Sequence, residues 1–500
     1  MSRSILVTIT KHTNWFHLLK LRRHKATLII IHTFNRKLDK MKKLGFILLL
    51  APLLSYSQCW QSVSAGYHFT IAKKTDGTLW GMGQNSSGQL GDGTTTDKYT
   101  ITQIGNDDDW NIISSGGDSA MAIKNNGTLW GWGGNGGIGA IGAGTSFIEP
   151  FPIQIGTDSN WETLDYGGGH GIALKTNGTL WGWGYNNKGQ VGNGTNTDAL
   201  IPVQIGTDSN WQKVMAGRRQ SLAIKTDGTL WAWGENEHGE LGDGTFINRN
   251  APVQIGTNTD WESLSTLGNH SLAIKTNGTL WSWGDNAMGQ IGDGTQTSKN
   301  YPVQIGTGTD WQEVSAGGLH SLALKTNGTV WGWGDNNYYF QLGFFSFNDQ
   351  LVPIQLGTSN EWIGISGGGV HTAMVKSDNT LWVFGWNYLG QLGNGTNTGN
   401  YPQHNAQNTP IAVNCAPLGT GEEQISQFEI YPNPVKSKLN IHNSENISIK
   451  QLQIVNVFGQ IVHQTSYIDL IDISSFPIGI YFLKIFDEQD NFYSVKFLKQ

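Results

Sequence analysis

Seven tryptophans stand at a near-constant spacing along the chain: Trp60, Trp110, Trp161, Trp211, Trp261, Trp311 and Trp362. Each is followed twenty residues later by another: Trp80, Trp130, Trp181, Trp231, Trp281, Trp331 and Trp382. A period of 50 or 51 residues repeated seven times makes each unit one supersecondary element that buries its apolar face against its neighbours. Within a unit, "WQEVSAG" alternates apolar and polar residues. "HSLALKT" and "TVWGWG" then flank an Asn-Gly or Asp-Gly pair, the signal for a hairpin with a type I′ turn, positive in φ at both central residues. "PVQIG" follows the "GQLGDGT" loop as a fourth strand, with Pro at a first position that needs no ladder donor. Four strands in each of seven units predict an all-β chain built as a seven-bladed β-propeller. A linear solenoid fits less well, because its rungs are usually shorter. Only 14% of residues are charged, while Gly numbers 67 and Trp 21, as in a turn-rich β protein. A net charge of −6 gives no basic face for nucleic acid.

Three phrases recur: G-x-x-H-[ST]-x-A-[IL]-K, [DN]-G-T-[LV]-W-x-W-G-x-N and G-Q-[LI]-G-[DN]-G-T. From residue 60 to about 410 they resemble the regulator-of-chromosome-condensation repeat, and the resemblance implies the same seven-bladed propeller. Blade 2 departs, with "GGNGGIGAIGAGTS", as does blade 6, with an aromatic insertion from Asn336 to Asp349. The last outer strand ("YPQHNAQNTP") is degenerate and leaves ring closure open. Two roles of such proteins are set aside. Nucleotide exchange on a Ran-like GTPase needs a nuclear partner. The plant UV-B photoreceptors carry Trp and Arg in the two positions before His, where no blade here has Trp and only blade 4 has Arg.

Residues 41–58, "MKKLGFILLLAPLLSYSQ", read as a secretory signal peptide, with residues 1–40 as upstream sequence from an over-extended gene start; a long-leader membrane anchor is the alternative. No other stretch is apolar enough to span a bilayer, so the mature protein is expected to be soluble, exported and without a transmembrane segment. Cys59 and Cys415 bracket the propeller (59–416) and are expected to pair in an oxidising compartment; Gln58 disfavours lipidation of Cys59. After a linker (417–424), residues 425–500 resemble the type A sorting domain of the type IX secretion system of Bacteroidetes. That resemblance rests on Tyr431-Pro432-Asn433-Pro434, Phe458-Gly459-Gln460 and Gly479-Ile480-Tyr481. It implies a small β-sandwich that the secretion machinery recognises; an independent adhesive sandwich is the alternative.

The repeated phrases do not suit chemistry. The His position is His170, His270, His320 and His371 in four blades but Phe69, Ser119 and Gln220 in the others, which fits a structural bond better than a metal ring. The Trp pairs are expected in the core. Asp92, Asp243 and Asp293 in the "GDGT" loops, replaced by Asn193 and Asn394 elsewhere, suit turns better than calcium. "GDSAM" at Gly117–Met121 lacks the elbow of a nucleophilic serine. No catalytic, cofactor-binding or metal residue is expected, and no cofactor.

Specificity is expected where blades differ. The two residues before the His position, among them Tyr67, His68, Asp118, Arg218, Arg219, Asn269 and Leu319, are expected to cluster on one face around the channel. Arg218 and Arg219 stand out as groups for an anion or a hot spot, beside a charged loop of Glu235, Glu237, His238 and Glu240. The blade 6 insertion offers Tyr338, Tyr339, Phe340, Phe344, Phe345 and Phe347 as a contact patch, unless it folds back over its blade. A secreted or cell-surface non-enzymatic scaffold recognising a protein or glycan is the leading expectation. A secreted enzyme inhibitor, similar to β-lactamase-inhibitor propellers, is the alternative; an enzyme is the third.

Overall fold

The computed structural model describes residues 59–398, 405–415, 428–443, 448–456, 461–466, 470–487 and 492–500. The expected upstream segment 1–40, signal peptide 41–58, linker 417–424 and Phe458-Gly459-Gln460 lie outside the described residues. Between Trp60 and Val413 the chain forms seven four-stranded antiparallel sheets, each from strands consecutive in sequence. Blade 4 shows the plan: Trp211–Ala216, Gln220–Lys225, Leu230–Gly234 and Arg249–Gln254 pair in order as a meander. The first strands of neighbouring blades touch around a central axis, so the fourth strands form the outer rim. Pro252 lies inside the fourth strand rather than at its start; an edge strand tolerates it.

The hairpin between second and third strands is not type I′. In blade 4 the Gly228 N–H donates to the Lys225 carbonyl at 2.9 Å, and of the Asp227-Gly228 pair only Gly228 has positive φ, 77°. Asp227 stays out of the left-handed region because its carboxylate accepts from the Thr229 N–H at 3.0 Å and Oγ1 at 2.6 Å. The result is a type I turn followed by a left-handed glycine. In blade 7, Asn379 takes the glycine role with φ 60°.

The hydrophobic core is divided among the gaps between blades. Ile172, Leu174 and Leu180 of blade 3 meet Trp211, Val214 and Trp233 of blade 4, and equivalent sets recur around the ring. The expected Trp pairs need one correction. The opening Trp is buried, but its partner twenty residues on is mostly half-buried; the fully buried indole lies two residues later, at Trp132, Trp183, Trp233, Trp283 and Trp333. The half-buried indole instead clamps a lysine. Lys225 Nζ lies 4.6 Å from the Trp211 ring centre, 4.0 Å from that of Trp231, and 2.6 Å from Asp208.

The repeated histidine joins blades. His170 Nε2 lies 2.9 Å from Ser221 Oγ of the next blade, and that hydroxyl donates to the Gln190 carbonyl at 2.8 Å. Because the hydroxyl hydrogen is committed to the carbonyl, the imidazole must donate through an Nε2–H. His270, His320 and His371 repeat this with Ser321, Thr372 and Thr70. Gln220 replaces it in blade 4, donating to Thr266 Oγ1 at 2.8 Å and the Gly268 carbonyl at 2.7 Å.

Blade 7 is completed by the chain's own later strand, Ala406–Val413, which pairs with Leu381–Trp386 despite its degenerate sequence. Among the described residues no strand is shared between blades 7 and 1, which are joined at the rim only by an isolated bridge, Thr100 with Asn394. At that seam Met82 occupies the place of the buried Trp, and Cys59 and Cys415 are joined as a disulfide, Cα atoms 6.3 Å apart and 356 residues apart in sequence.

The C-terminal residues form two sheets of their own. Phe428–Tyr431, Lys438–Asn443 and Leu470–Asp472 make one; Ile449–Asn456, Ile461–Thr465, Gly479–Asp487 and Phe492–Lys499 make the other. Both contribute to one core that includes Leu439, Ile441, Ile454, Leu483 and Phe497, a small β-sandwich. Tyr481 of the Gly-Ile-Tyr motif is buried in it, its hydroxyl donating to the Pro477 carbonyl at 2.9 Å.

Two outcomes test this packing. Trp233→Ala is expected to cost about 3–5 kcal/mol, against at most about 2 kcal/mol for Trp231→Ala, by chemical denaturation of the two variants side by side. Burial holds His320 down to about 3, so the unfolded chain takes up a proton there first as pH falls below the ordinary value near 6.5. Stability that this residue supports is present above pH ~6.5 and lost as pH falls toward 3, about 2 kcal/mol of it by pH ~5. His320→Gln, which copies blade 4, should therefore shift the acid-unfolding midpoint to lower pH; an unmoved midpoint would contradict the histidine's role.

Candidate functional site

Each blade presents two residues side by side on the face at the His end. The N–H of the residue after the third strand, or in blade 7 of its last residue, donates to the carbonyl of the residue before the His position. The pairs are Gln84 with His68, Gly134 with Asp118, Tyr185 with Gly169, Glu235 with Arg219, Asp285 with Asn269, Asp335 with Leu319 and Trp386 with Val370, at 2.7–3.0 Å. Inside this tier, the turns between first and second strands bond to one another. Tyr67 N–H donates to Gly116 O at 2.9 Å, Gly117 to Gly167 at 3.0 Å, Gly168 to Gly217 at 3.0 Å, Gly318 to Gly368 at 3.0 Å and Gly369 to Gly66 at 3.1 Å. Glycine is required here: a Cβ on Gly116 or Gly167 would lie 1.9 Å from the next blade's carbonyl oxygen. Among the described residues the two steps without such a bond are those that involve blade 5, where Leu267 replaces the glycine.

On blade 4, Arg218 is exposed and makes no ion pair among the described residues. Arg219 is half-buried, 3.5 Å from Glu235, with its guanidinium 5.8 Å from the Tyr185 ring centre. Lys188 reaches the same Glu235 at 3.5 Å and also pairs with Glu237. Glu240 is a correction. It is fully buried at the loop position that is glutamine in five other blades, and burial pushes its carboxyl up to about 7, so it does not belong to an exposed charged loop. Tyr67, in blade 1, is half-buried with a hydroxyl that has no hydrogen-bond partner among the described residues. Burial raises its phenol pKa against the pull of Arg218 and Arg219. Burial likewise lowers His68, with the exposed Asp118 of blade 2 acting in the other direction.

The blade 6 insertion divides. Tyr338 is 54% exposed, while Tyr339 is half-buried, its ring 5.6 Å from that of Trp386. Phe340 is fully buried and has no surface to offer a partner, which corrects its placement among contact residues. It occupies the loop position that is Gly239 or Gly289 elsewhere, with φ 54°, and its ring packs under Phe345 and Phe347 at 5.6 and 5.7 Å. Asn269 is half-buried and Leu319 is 37% exposed.

The strongest aromatic feature was not singled out from the sequence. Trp386 stacks on Tyr388 with ring centres 5.8 Å apart and planes 20° apart, and His68 lies 5.3 Å from Trp386 across the seam to blade 1. Tyr388 is 52% exposed. The signal was available: the residue after the third strand is Gln84, Gly134, Tyr185, Glu235, Asp285 and Asp335 in other blades, a column as variable as the one before His.

The "GDGT" aspartates have protein partners. Asp92 accepts from the Thr94 N–H at 2.9 Å and pairs with Lys98 at 2.9 Å; Asp243 pairs with Arg249 and Asp293 with Lys299. Asn193 and Asn394 make the same turn bond without a charge, at 3.1 Å each. These are loop-forming contacts.

Residues 134–427 match the family profile of the RCC1-like domain, and residues 60–89 match the regulator of chromosome condensation (RCC1) repeat. Residues 429–500 match the secretion system C-terminal sorting domain, which marks the chain for export by the type IX system to the cell surface or beyond. No helix among the described residues is long and apolar enough to cross a membrane. Among solved structures, human WBSCR16 is 20% identical, covering 67% of this chain and 93% of its own, with a TM-score of 0.58. Yeast RCC1 (Prp20), in its structure with Kap60, is 17% identical, covering 75% and 87%, with a TM-score of 0.60. At these identities the likeness speaks for the fold. No curated protein sequence matches the chain. With a profile that covers more than half of its length, and blades that repeat the family's geometry, the chain belongs to the RCC1-like domain family.

Proposed function

We propose that the exported propeller is a non-enzymatic binding module that recognises a glycan or protein through the face at the His end of its blades. The observation that carries this reading is the aromatic platform of Trp386 and Tyr388, extended by Tyr339 and His68, on a face whose neighbouring residues differ from blade to blade. The repeated groups are engaged elsewhere. The histidines bond the next blade, the loop aspartates close turns, and the lysines sit between indoles. What remains free to vary is the ring of paired positions, as expected of a scaffold that changes ligand without changing fold. A flat, half-exposed indole stacked on a tyrosine suits the apolar face of a sugar ring, so a glycan is favoured.

Trp386→Ala is the direct test, with the purified protein applied to a glycan array and to extracted surface proteins. Capture should weaken about tenfold or more while the thermal midpoint stays near that of the unaltered protein, since this indole is not part of a blade core. Undiminished capture by the variant would reject the platform as the contact.

A further inference from the structure

In blades 2 to 7 the second strand ends in a lysine held between two indoles, and the carboxylate that neutralises it comes from the loop just before the opening Trp. Three residues before that Trp stands Asp107, Asp158 or Asp208 in blades 2 to 4, each 2.6 Å from its lysine. Asn258 and Ser359 stand there in blades 5 and 7, and Gly308 in blade 6. Lys325 of blade 6 therefore has one carboxylate partner among the described residues, Asp310 at 3.0 Å. It is half-buried, whereas Lys124, Lys175 and Lys225 are buried. Beside it opens a cleft of about 360 Å³ in the groove between blades 5 and 6, with Gly308, Trp311, Trp331, Val352 and Pro353 among its walls. The ammonium lies 4.6 Å from the Trp311 ring centre and 4.8 Å from that of Trp331. Blade 2 shows what such an ammonium can hold: Lys124 binds Asp107 at 2.6 Å and Asp109 at 2.9 Å together. Asp310 is the counterpart of Asp109, and the counterpart of Asp107 is missing. A Cβ on Gly308 would lie 3.3 Å from Asp310 Oδ1, so the vacated position adjoins the carboxylate that Lys325 already holds. Asp293, which also lines the cleft, is neutralised by Lys299 at 2.9 Å.

We propose that this cleft binds a compact organic carboxylate built on a six-membered ring, its carboxylate taking the second acceptor position on Lys325 that Asp107 fills on Lys124. An ammonium carries three donors, so Asp310 and the ligand can share it. The ring lies against Trp331, Val352 and Pro353, apolar walls that suit the face of a pyranose or of an aromatic ring. The volume is at the small end for ligand clefts and fits a single ring with its acid group. Lys325 ends the strand that His320 begins, so the acid group is seated at the opposite end of the blade from the aromatic platform, and the site does not rest on that platform.

The test is ligand-observed NMR titration of the purified full chain with glucuronate and benzoate, beside their uncharged counterparts glucose and benzyl alcohol. Gly308→Asp copies blades 2 to 4 and supplies the missing carboxylate from the chain itself, so the fold is expected to keep its thermal midpoint. Lys325→Met keeps the aliphatic stem between the indoles and removes the charge. The expected result is binding of one or both acids, on the order of tenfold tighter than the uncharged counterpart, and weakened about tenfold or more in each variant. Preference for glucuronate or for benzoate tells a sugar acid from an aromatic one, and either supports the site. Failure of both acids to bind overturns the proposal, as does equal affinity of Gly308→Asp and the unaltered protein. Trp386→Ala should leave acid binding unchanged. If it abolishes that binding instead, the acids sit on the His-end face, and the cleft assignment falls while the face reading stands.

Discussion

The ring depends on a belt of hydrogen bonds that each blade's first strand makes to the next. Ser64 Oγ accepts from Ser115 N–H, Ser114 from Tyr166, Asp165 from Ala216, Ser265 from Ala316, Ser315 from Gly367 and Ser366 from Ala65, all at 2.8–2.9 Å. One step lacks it, between blades 4 and 5, where Met215 stands in the serine position. The same interface lacks the glycine bond, as does the next one, and has Gln220 for histidine. Three independent layers of the belt change together at one interface, and Arg218 and Arg219 sit on its edge. The scaffold is most altered where the face carries its most concentrated positive charge.

The seam between blades 7 and 1 is the other departure, and its cause is topological. All four strands of blade 7 are consecutive in the chain, so among the described residues no strand is shared across the closure. The buried indole that fills five of the other gaps, with an apolar area worth roughly 4–6 kcal/mol, is Met82 here, and Phe384 stands in its place between blades 6 and 7. The Cys59–Cys415 bond spans the same gap and ties together segments 356 residues apart. Export by the type IX system suits this dependence, because a structural disulfide needs an oxidising compartment. The far end of the same seam bears Trp386 and His68, so the ring must close before the aromatic platform is complete.

Much of this was legible in the sequence because repetition supplies its own alignment. The period gave blade number, four strands per blade and the structural reading of the histidine, whose replacement by Phe69 and Ser119 ruled out a shared chemical role. The turn type was not legible: Asp-Gly suits two hairpin classes, and the choice falls to the bonds that Thr229 donates to the Asp227 carboxylate. Phe340 looked like a surface aromatic, but it occupies a glycine position whose side chain turns inward. The Arg pair showed as a departure from consensus. Trp386 did not, because a tryptophan inside a Trp-rich phrase reads as part of the phrase.

The closure is tested most directly by hydrogen–deuterium exchange on the purified protein, oxidised and then reduced. Reduction should speed exchange selectively in Trp60–Lys74 and Leu381–Val413, the strands that meet at the seam, while blades 3 to 6 keep their protection. Exchange that is unchanged on reduction, or that rises evenly around all seven blades, would contradict a ring held shut at that one place.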